Sequence, residues 1–383
     1  MKKLYPFFLI LLSLATGCSN KQKNDHTLKN ILIDSTKHNT IDSKVSWTKI
    51  NNLGENLETL GEINSFDFVD KDRLIISVSN PTRVMLYHKN GKLIRKVGNK
   101  GRGPFEYISP SLVRSNDQKI YIWCEGLLKL LVFDSNGKPI EKYKFSKAIK
   151  DFIIYNNYAG FYTVGGSDAQ IFKIYNLNTK EVIGAFGTKT NEHKLLNVFK
   201  SSGGLTKYKK NVFFAPSDKL HIYKINMENF SKAKYNIDDN EFKVETINEK
   251  PQEYIHQPEK AFKYFYKNDI ITDLFCLNDK IILTAQLGKV EIENFKLNRN
   301  GRKGKVNIEM NDPSKKKYKY YVFNKGMKLE SFLYDTIKDI RNENNCFYAS
   351  NGKYLYKIEY KDEDSIYKLS RMNFHQIKDS PTK

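Results

Sequence analysis

From Val45 onward the apolar positions come in short alternating runs, not at helical spacing. Runs of Ile, Val, Tyr and Phe are broken by Gly, Asn, Asp and Ser, the signature of half-buried strands between turns. No amphipathic helix longer than three turns stands out. The runs also repeat. Residues 84–92, ending Tyr87-His88-Lys89-Asn90-Gly91-Lys92, match residues 130–138, ending Phe133-Asp134-Ser135-Asn136-Gly137-Lys138, at an offset of 46 residues. Each copy is a strand that ends in an aromatic and then an Asn-Gly pair, which favours a tight hairpin because both central residues need positive φ. Looser copies follow at residues 171–180 and 220–225. A fifth unit begins near Lys280 and carries an insertion through Lys317, and a sixth holds residues 346–350 and 354–358.

Six units with early spacings of 40 to 50 residues suit one four-stranded blade each. The expected fold is all-β, a six-bladed β-propeller of four-stranded antiparallel blades over residues 45–383. Residues 45–50 are expected to close the ring by pairing with the last blade, which would remove a sheet edge. The stretch 241–267 fits the strand rhythm poorly and suggests a short helix near Pro258 to Tyr266.

The start of the chain has a different pattern. Lys2 and Lys3 precede an apolar run from Leu4 to Leu14, and Ala15-Thr16-Gly17 leads to Cys18. That run is too short to span a bilayer and reads as a secretory signal over residues 1–17. Its ending resembles a bacterial lipoprotein signal, with Ala15 where leucine is usual. The resemblance implies lipidation of Cys18, a membrane partner through that anchor, and a place at the outer membrane of a bacterial envelope, facing the periplasm or the outside. Residues 18–44 are polar and read as the lipidated cysteine with a flexible tether.

Between the first two units lies the run Gly98-Asn99-Lys100-Gly101-Arg102-Gly103-Pro104-Phe105-Glu106-Tyr107. Gly101, Gly103, Pro104, Glu106 and Tyr107 resemble the G-x-G-P-x-E-[FY] segment of the six-bladed β-propeller lipoproteins of Bacteroidetes, a family related in shape to NHL-repeat and TolB-like propellers. Phe105 replaces the usual glycine. Asp134, Gly137 and Lys138 match the family's hairpin, while the first copy has His88 in place of aspartate. The resemblance is specific over residues 61–143. On physical grounds the segment crosses from one blade to the next, with Glu106 accepting hydrogen bonds from freed backbone N–H groups. It is either a loop staple or a recognition cluster of Arg102, Glu106 and Tyr107, with Arg102 reaching an acidic group.

Composition narrows the function classes. The chain has 64 Lys and Arg against 43 Asp and Glu, a net charge of +21. With a secretory signal this argues against nucleic acid; the favoured reading is lysine-rich loops that keep a strand-rich protein soluble, and the other is attraction to anionic lipid or acidic glycan. The basic runs 299–305 and 315–319 read as exposed loop tips. Cys124, Cys276 and Cys346 lie in apolar contexts without CxxC spacing and read as buried free thiols; no metal or other cofactor is called for. No G-x-S-x-G or H-E-x-x-H motif is present. Asp134, Asp218, Glu291 and Asp335 are the carboxylates that could converge. The expected function is a non-catalytic, membrane-anchored envelope protein whose propeller binds a macromolecular or glycan partner. The alternative is a metal-dependent hydrolase or lyase with carboxylates at the central channel.

Overall fold

The computed structural model describes residues 27–32, 45–53, 61–163, 169–198, 203–300, 303–310, 316–336, 346–351, 353–361 and 366–374. Cys18 and the leader lie outside them, as do the side chains of Asp335 and Cys346.

The strands form six four-stranded antiparallel blades around a central channel. Blade 1 runs through Glu62–Phe68, Arg73–Ser79, Arg83–His88 and Leu93–Lys96. Blade 2 is Pro110–Asn116, Lys119–Cys124, Lys129–Asp134 and Pro139–Lys144. Blade 3 is Asp151–Tyr155, Tyr158–Tyr162, Gln170–Asn176 and Val182–Thr188, and blade 4 is Gly204–Tyr208, Asn211–Ala215, His221–Asn226 and Lys232–Asp238. Blade 5 uses Ile270–Leu277, Lys280–Leu287, Lys317–Asn324 and Leu329–Thr336. Blade 6 uses Cys346–Ser350, Leu355–Lys361 and Ile366–Phe374, completed on the outside by Val45–Leu53. The first strand of each blade lines the channel.

Middle strands lie between two neighbouring blades, so both of their faces are covered. Arg73–Ser79 and Lys119–Cys124 are accordingly near-continuous apolar runs, buried at almost every position, and the outermost Leu93–Lys96 is exposed throughout. One apolar cluster fills each of the six gaps. Between blades 2 and 3 it contains Trp123, Phe152 and Phe161. Burial on this scale is the main stabilising term, about 1.5–3 kcal/mol for each large side chain.

We call the face where the innermost strands begin the upper face. It carries the longer connections: the glycine-rich crossing at residues 97–109, helices Asn191–Leu196, Pro251–Ile255 and Pro258–Lys267, and a two-stranded ribbon, Ile292–Asn300 with Lys303–Met310. The lower face carries the tight turns.

The expected closure forms: Val45–Leu53 pairs antiparallel with Ile366–Phe374, and Leu53 is buried in the gap between blades 6 and 1. The expected helix is found at Pro258–Lys267. Other details differ from expectation. Blade 5 begins at Ile270, ten residues before Lys280, which opens its second strand. Thr27–Leu32, within the stretch read as a tether, is a strand that runs parallel to Lys232–Asp238 and covers the outer edge of blade 4. Lys316 and Lys319, read as part of an exposed loop tip, are buried. Each ammonium has partners: Lys316 donates to the Asn268 carbonyl at 2.9 Å, and Lys319 meets Asp239 at 2.6 Å and Glu241 at 2.8 Å. Burial pushes Lys316 down to about 8. Cys124 and Cys276 are free and buried, as expected.

Candidate functional site

Two cavities, about 290 and 460 Å³, share Arg114, Asp151 and Asp273 in their walls and are two ends of one central channel. Each of these residues is a charge placed in an otherwise strand-forming innermost segment. Arg114 comes from blade 2, Asp151 from blade 3, Asp273 from blade 5, and Asp67, on the lower side, from blade 1.

Arg114 is the hub. One guanidinium nitrogen donates to Asp151 Oδ1 at 2.5 Å, and the other donates to Ser65 Oγ at 3.1 Å and the Val113 carbonyl at 2.8 Å. Asp67 accepts from the N–H groups of Ser115 at 2.7 Å and Phe68 at 2.9 Å. About a quarter of the Arg114 and Asp151 side chains is open, to the channel and not to bulk water. Burial therefore dominates the ionisation of the acids. It pushes Asp67 up to about 6 against the pull of Arg114, and it raises Asp151 as well. Lys207 donates to the Ile154 carbonyl at 2.8 Å and to Asn116, with its own pKa lowered by burial. Tyr318, Tyr320, Tyr348, Asn64 and Lys150 line the upper cavity. The channel wall thus combines ionisable groups of both signs with amide and tyrosine side chains.

The motif residues lie apart from this channel wall, in the crossing on the upper face. Glu106 Oε2 accepts from the Gly103 N–H at 2.7 Å, as the loop-staple reading anticipates. A Cβ at Gly101 would sit 2.1 Å from that oxygen, so a side chain there would expel the carboxylate. Tyr107 is buried; its hydroxyl donates to the Val97 carbonyl at 3.1 Å and accepts the Val84 N–H at 3.0 Å. It ties the outer strands of blade 1 to the crossing, and burial raises its pKa to about 12. Of the three candidates, Arg102 alone is exposed. Tyr107→Phe leaves two backbone groups unpaired in the core. It is expected to cost about 1–3 kcal/mol in chemical denaturation, and a change under about 0.5 kcal/mol would mean that water replaces the hydroxyl.

Of the carboxylates singled out in the sequence, Asp134 and Asp218 lie on opposite faces, Glu291 is exposed, and the Asp335 side chain is outside the described residues. Asp134 closes the blade 2 hairpin on the lower face, accepting the N–H groups of Asn136 and Lys138, while Asp218 lies on the upper side of blade 4. Among the described residues, no group of three or more His, Cys, Asp or Glu is placed to hold a metal ion.

Asp218 does stand beside His193 and Ser217, the side chains of a hydrolase triad, but in the wrong arrangement. Ser217 Oγ lies 2.8 Å from His193 Nδ1, and Asp218 Oδ1 lies 3.8 Å from that same nitrogen. A triad needs the acid and the nucleophile on opposite ring nitrogens. Nδ1 also accepts the Ser217 N–H at 3.2 Å, so the hydrogen sits on Nε2, which is buried without a partner. Burial pushes His193 down to about 3. The group holds helix Asn191–Leu196 to blade 4, with Thr190 capping the helix and donating to Asp218.

A family model described as a domain of unknown function, DUF4934, matches residues 55–307. The chain belongs to this family. The match takes in the motif loop, the innermost strands of blades 1 to 5 and the upper-face helices. No curated protein matches the chain. Among solved structures, the family member is similar to a Bacteroides vulgatus protein of the DUF4221 family, with a TM-score of 0.60 at 12% identity over 88% of this chain and 99% of that one. It is also similar to a Bacteroides fragilis protein described as exported, with a TM-score of 0.56 at 12% identity over 91% of this chain and 100% of that one. At such identities the likeness is one of fold.

Proposed function

We propose that this protein is an exported, non-catalytic binding protein that is lipidated on Cys18 and takes an envelope glycan into the upper end of its channel. The observation that carries the reading is the upper cavity, whose wall combines the charged Arg114, Asp151 and Asp273 with Tyr318, Tyr320 and Tyr348. The Bacteroides fragilis neighbour, described as exported, and the leader before Cys18 support the location at the outer membrane. Arg102 is the outlying contact for an acidic group on the glycan. Kinship with NHL-repeat and TolB-like propellers rests on the loop motif.

The test is thermal unfolding of the chain from Ser19, which contains every described residue, against a panel of envelope glycans. A ligand at 100 times its dissociation constant adds about 2.7 kcal/mol, a shift of a few degrees. Asp273→Asn is expected to abolish the shift and Arg102→Ala to reduce it. A panel without any shift overturns the glycan reading. Stabilisation by a divalent metal, lost in EDTA, would favour the competing hydrolase or lyase at the channel carboxylates.

A further inference from the structure

Among the described residues, five of the seven large apolar side chains that stand exposed lie on the outermost strands of blades 1 to 3: Leu93, Ile94, Ile140, Val182 and Ile183. Each follows an exposed turn lysine by one to three residues, namely Lys92, Lys138 or Lys180. These outermost strands start at the lower face, so the pattern forms an arc along the lower rim. Its first two segments touch, because Arg95 donates to the Asn136 carbonyl in the blade 2 turn at 2.9 Å. Lysine beside half-exposed aliphatic groups is the composition that anionic lipid surfaces attract.

The direction of the first strand bears on the same face. Thr27–Leu32 runs parallel to Lys232–Asp238, with Thr27 opposite Ala233 and Leu32 opposite Asp238. Lys232–Asp238 rises from the lower face to the upper one, so the chain preceding Thr27 departs from the lower rim. Eight residues separate Cys18 from Thr27. An attachment at Cys18 would thus lead into the fold at the lower rim.

We infer that the lower rim of blades 1 to 3 rests on an anionic bilayer surface, with the five aliphatic side chains in the interface and the lysines among the headgroups. The upper face, with its helices, ribbon and channel mouth, then points away from the membrane. Only the sense of the anchor depends on the lipidation reading. The surface itself is tested without Cys18.

The experiment is co-sedimentation of the chain from Ser19 with vesicles of phosphatidylglycerol and phosphatidylcholine, or of phosphatidylcholine alone. Binding is expected to the anionic vesicles only, with release in about 0.5 M salt. The combined variant Leu93→Thr, Ile94→Thr, Ile140→Thr, Val182→Thr and Ile183→Thr keeps β-propensity and is expected to lower partition about tenfold or more at an unchanged melting temperature. The control, Val198→Thr with Ile255→Thr, removes the two exposed aliphatic groups of the upper face and is expected to change nothing. Absence of binding to anionic vesicles overturns the inference, as does equal binding by the rim variant. Concentration-dependent dimers abolished by the rim variant would assign the arc to a second copy of the chain.

Discussion

A chain that begins at Gly54 is expected to melt about 10 °C or more below one that begins at Val45. The nine residues between supply the outermost strand of blade 6, whose ladder pairs Val45 with Phe374 and Leu53 with Tyr367. Their loss removes those hydrogen bonds and takes away the buried Leu53, whose packing between blades 6 and 1 is itself worth about 2 kcal/mol. It also leaves Ile366–Phe374 as a bare edge, open to pairing with other chains. The loss is larger than the local contacts suggest, because the strand joins the start of the fold to its end. Neither starting point includes Thr27–Leu32, so the comparison isolates closure. Coincident melting curves would show that the ring is secured elsewhere.

Asp239→Ala is expected to cost about 3–5 kcal/mol in chemical denaturation, although it removes one small side chain. Lys319 is 2% exposed and lies within cation–π range of Tyr321, Phe332 and Tyr334. Burial alone would lower its pKa, but Asp239 and Glu241 more than offset that and raise it. Asp239 also accepts the Tyr321 hydroxyl at 2.7 Å. Without Asp239, the ammonium keeps Glu241, which is nearly half exposed, and the aromatic cage. Lys319→Met alone is expected to cost less, since the aromatic cage accepts its thioether. The double substitution is expected to recover part of the Asp239→Ala loss, giving a coupling energy above about 1 kcal/mol. Additive effects would show that water reaches Lys319.

These two sites mark the limits of what the sequence makes legible. The closing strand could be read because an apolar run without a neighbour stands before the first repeat, and a propeller needs its edge covered. The blade 1 and 2 hairpins could be read because Asn-Gly turns are local. Lys319 could not. Its partners lie about 80 residues away, and a run such as Lys315-Lys316-Lys317-Tyr318-Lys319 looks solvated until the fold brings carboxylates to it. The ribbon at Ile292–Met310 is the insertion expected after Lys280, but the first strand of blade 5 follows helix Pro258–Lys267 after two residues, so little sets its start apart. The channel cluster draws on four blades, so no spacing announces it. A faint local signal exists in the lone charge inside Ile270–Leu277, which is apolar but for Thr272 and Asp273, and in Arg114 inside Pro110–Asn116. One ionisable residue in a strand of that kind is costly unless it faces a cavity or a partner. The glycine-rich crossing is legible as a staple because Glu106 is the only acid in the run 98–107.

The parallel strand on blade 4 has a mechanical meaning. A pull on the chain ahead of Thr27, directed away from the lower face, acts along the strand axis. The ladder bonds from Thr27 to Leu32 then share the load in shear and must fail together. An antiparallel strand at the same edge would enter from the upper rim, and the same tug would peel its bonds one at a time. Strain arriving through the leading segment is therefore resisted at blade 4 before it reaches the ladder that closes the ring.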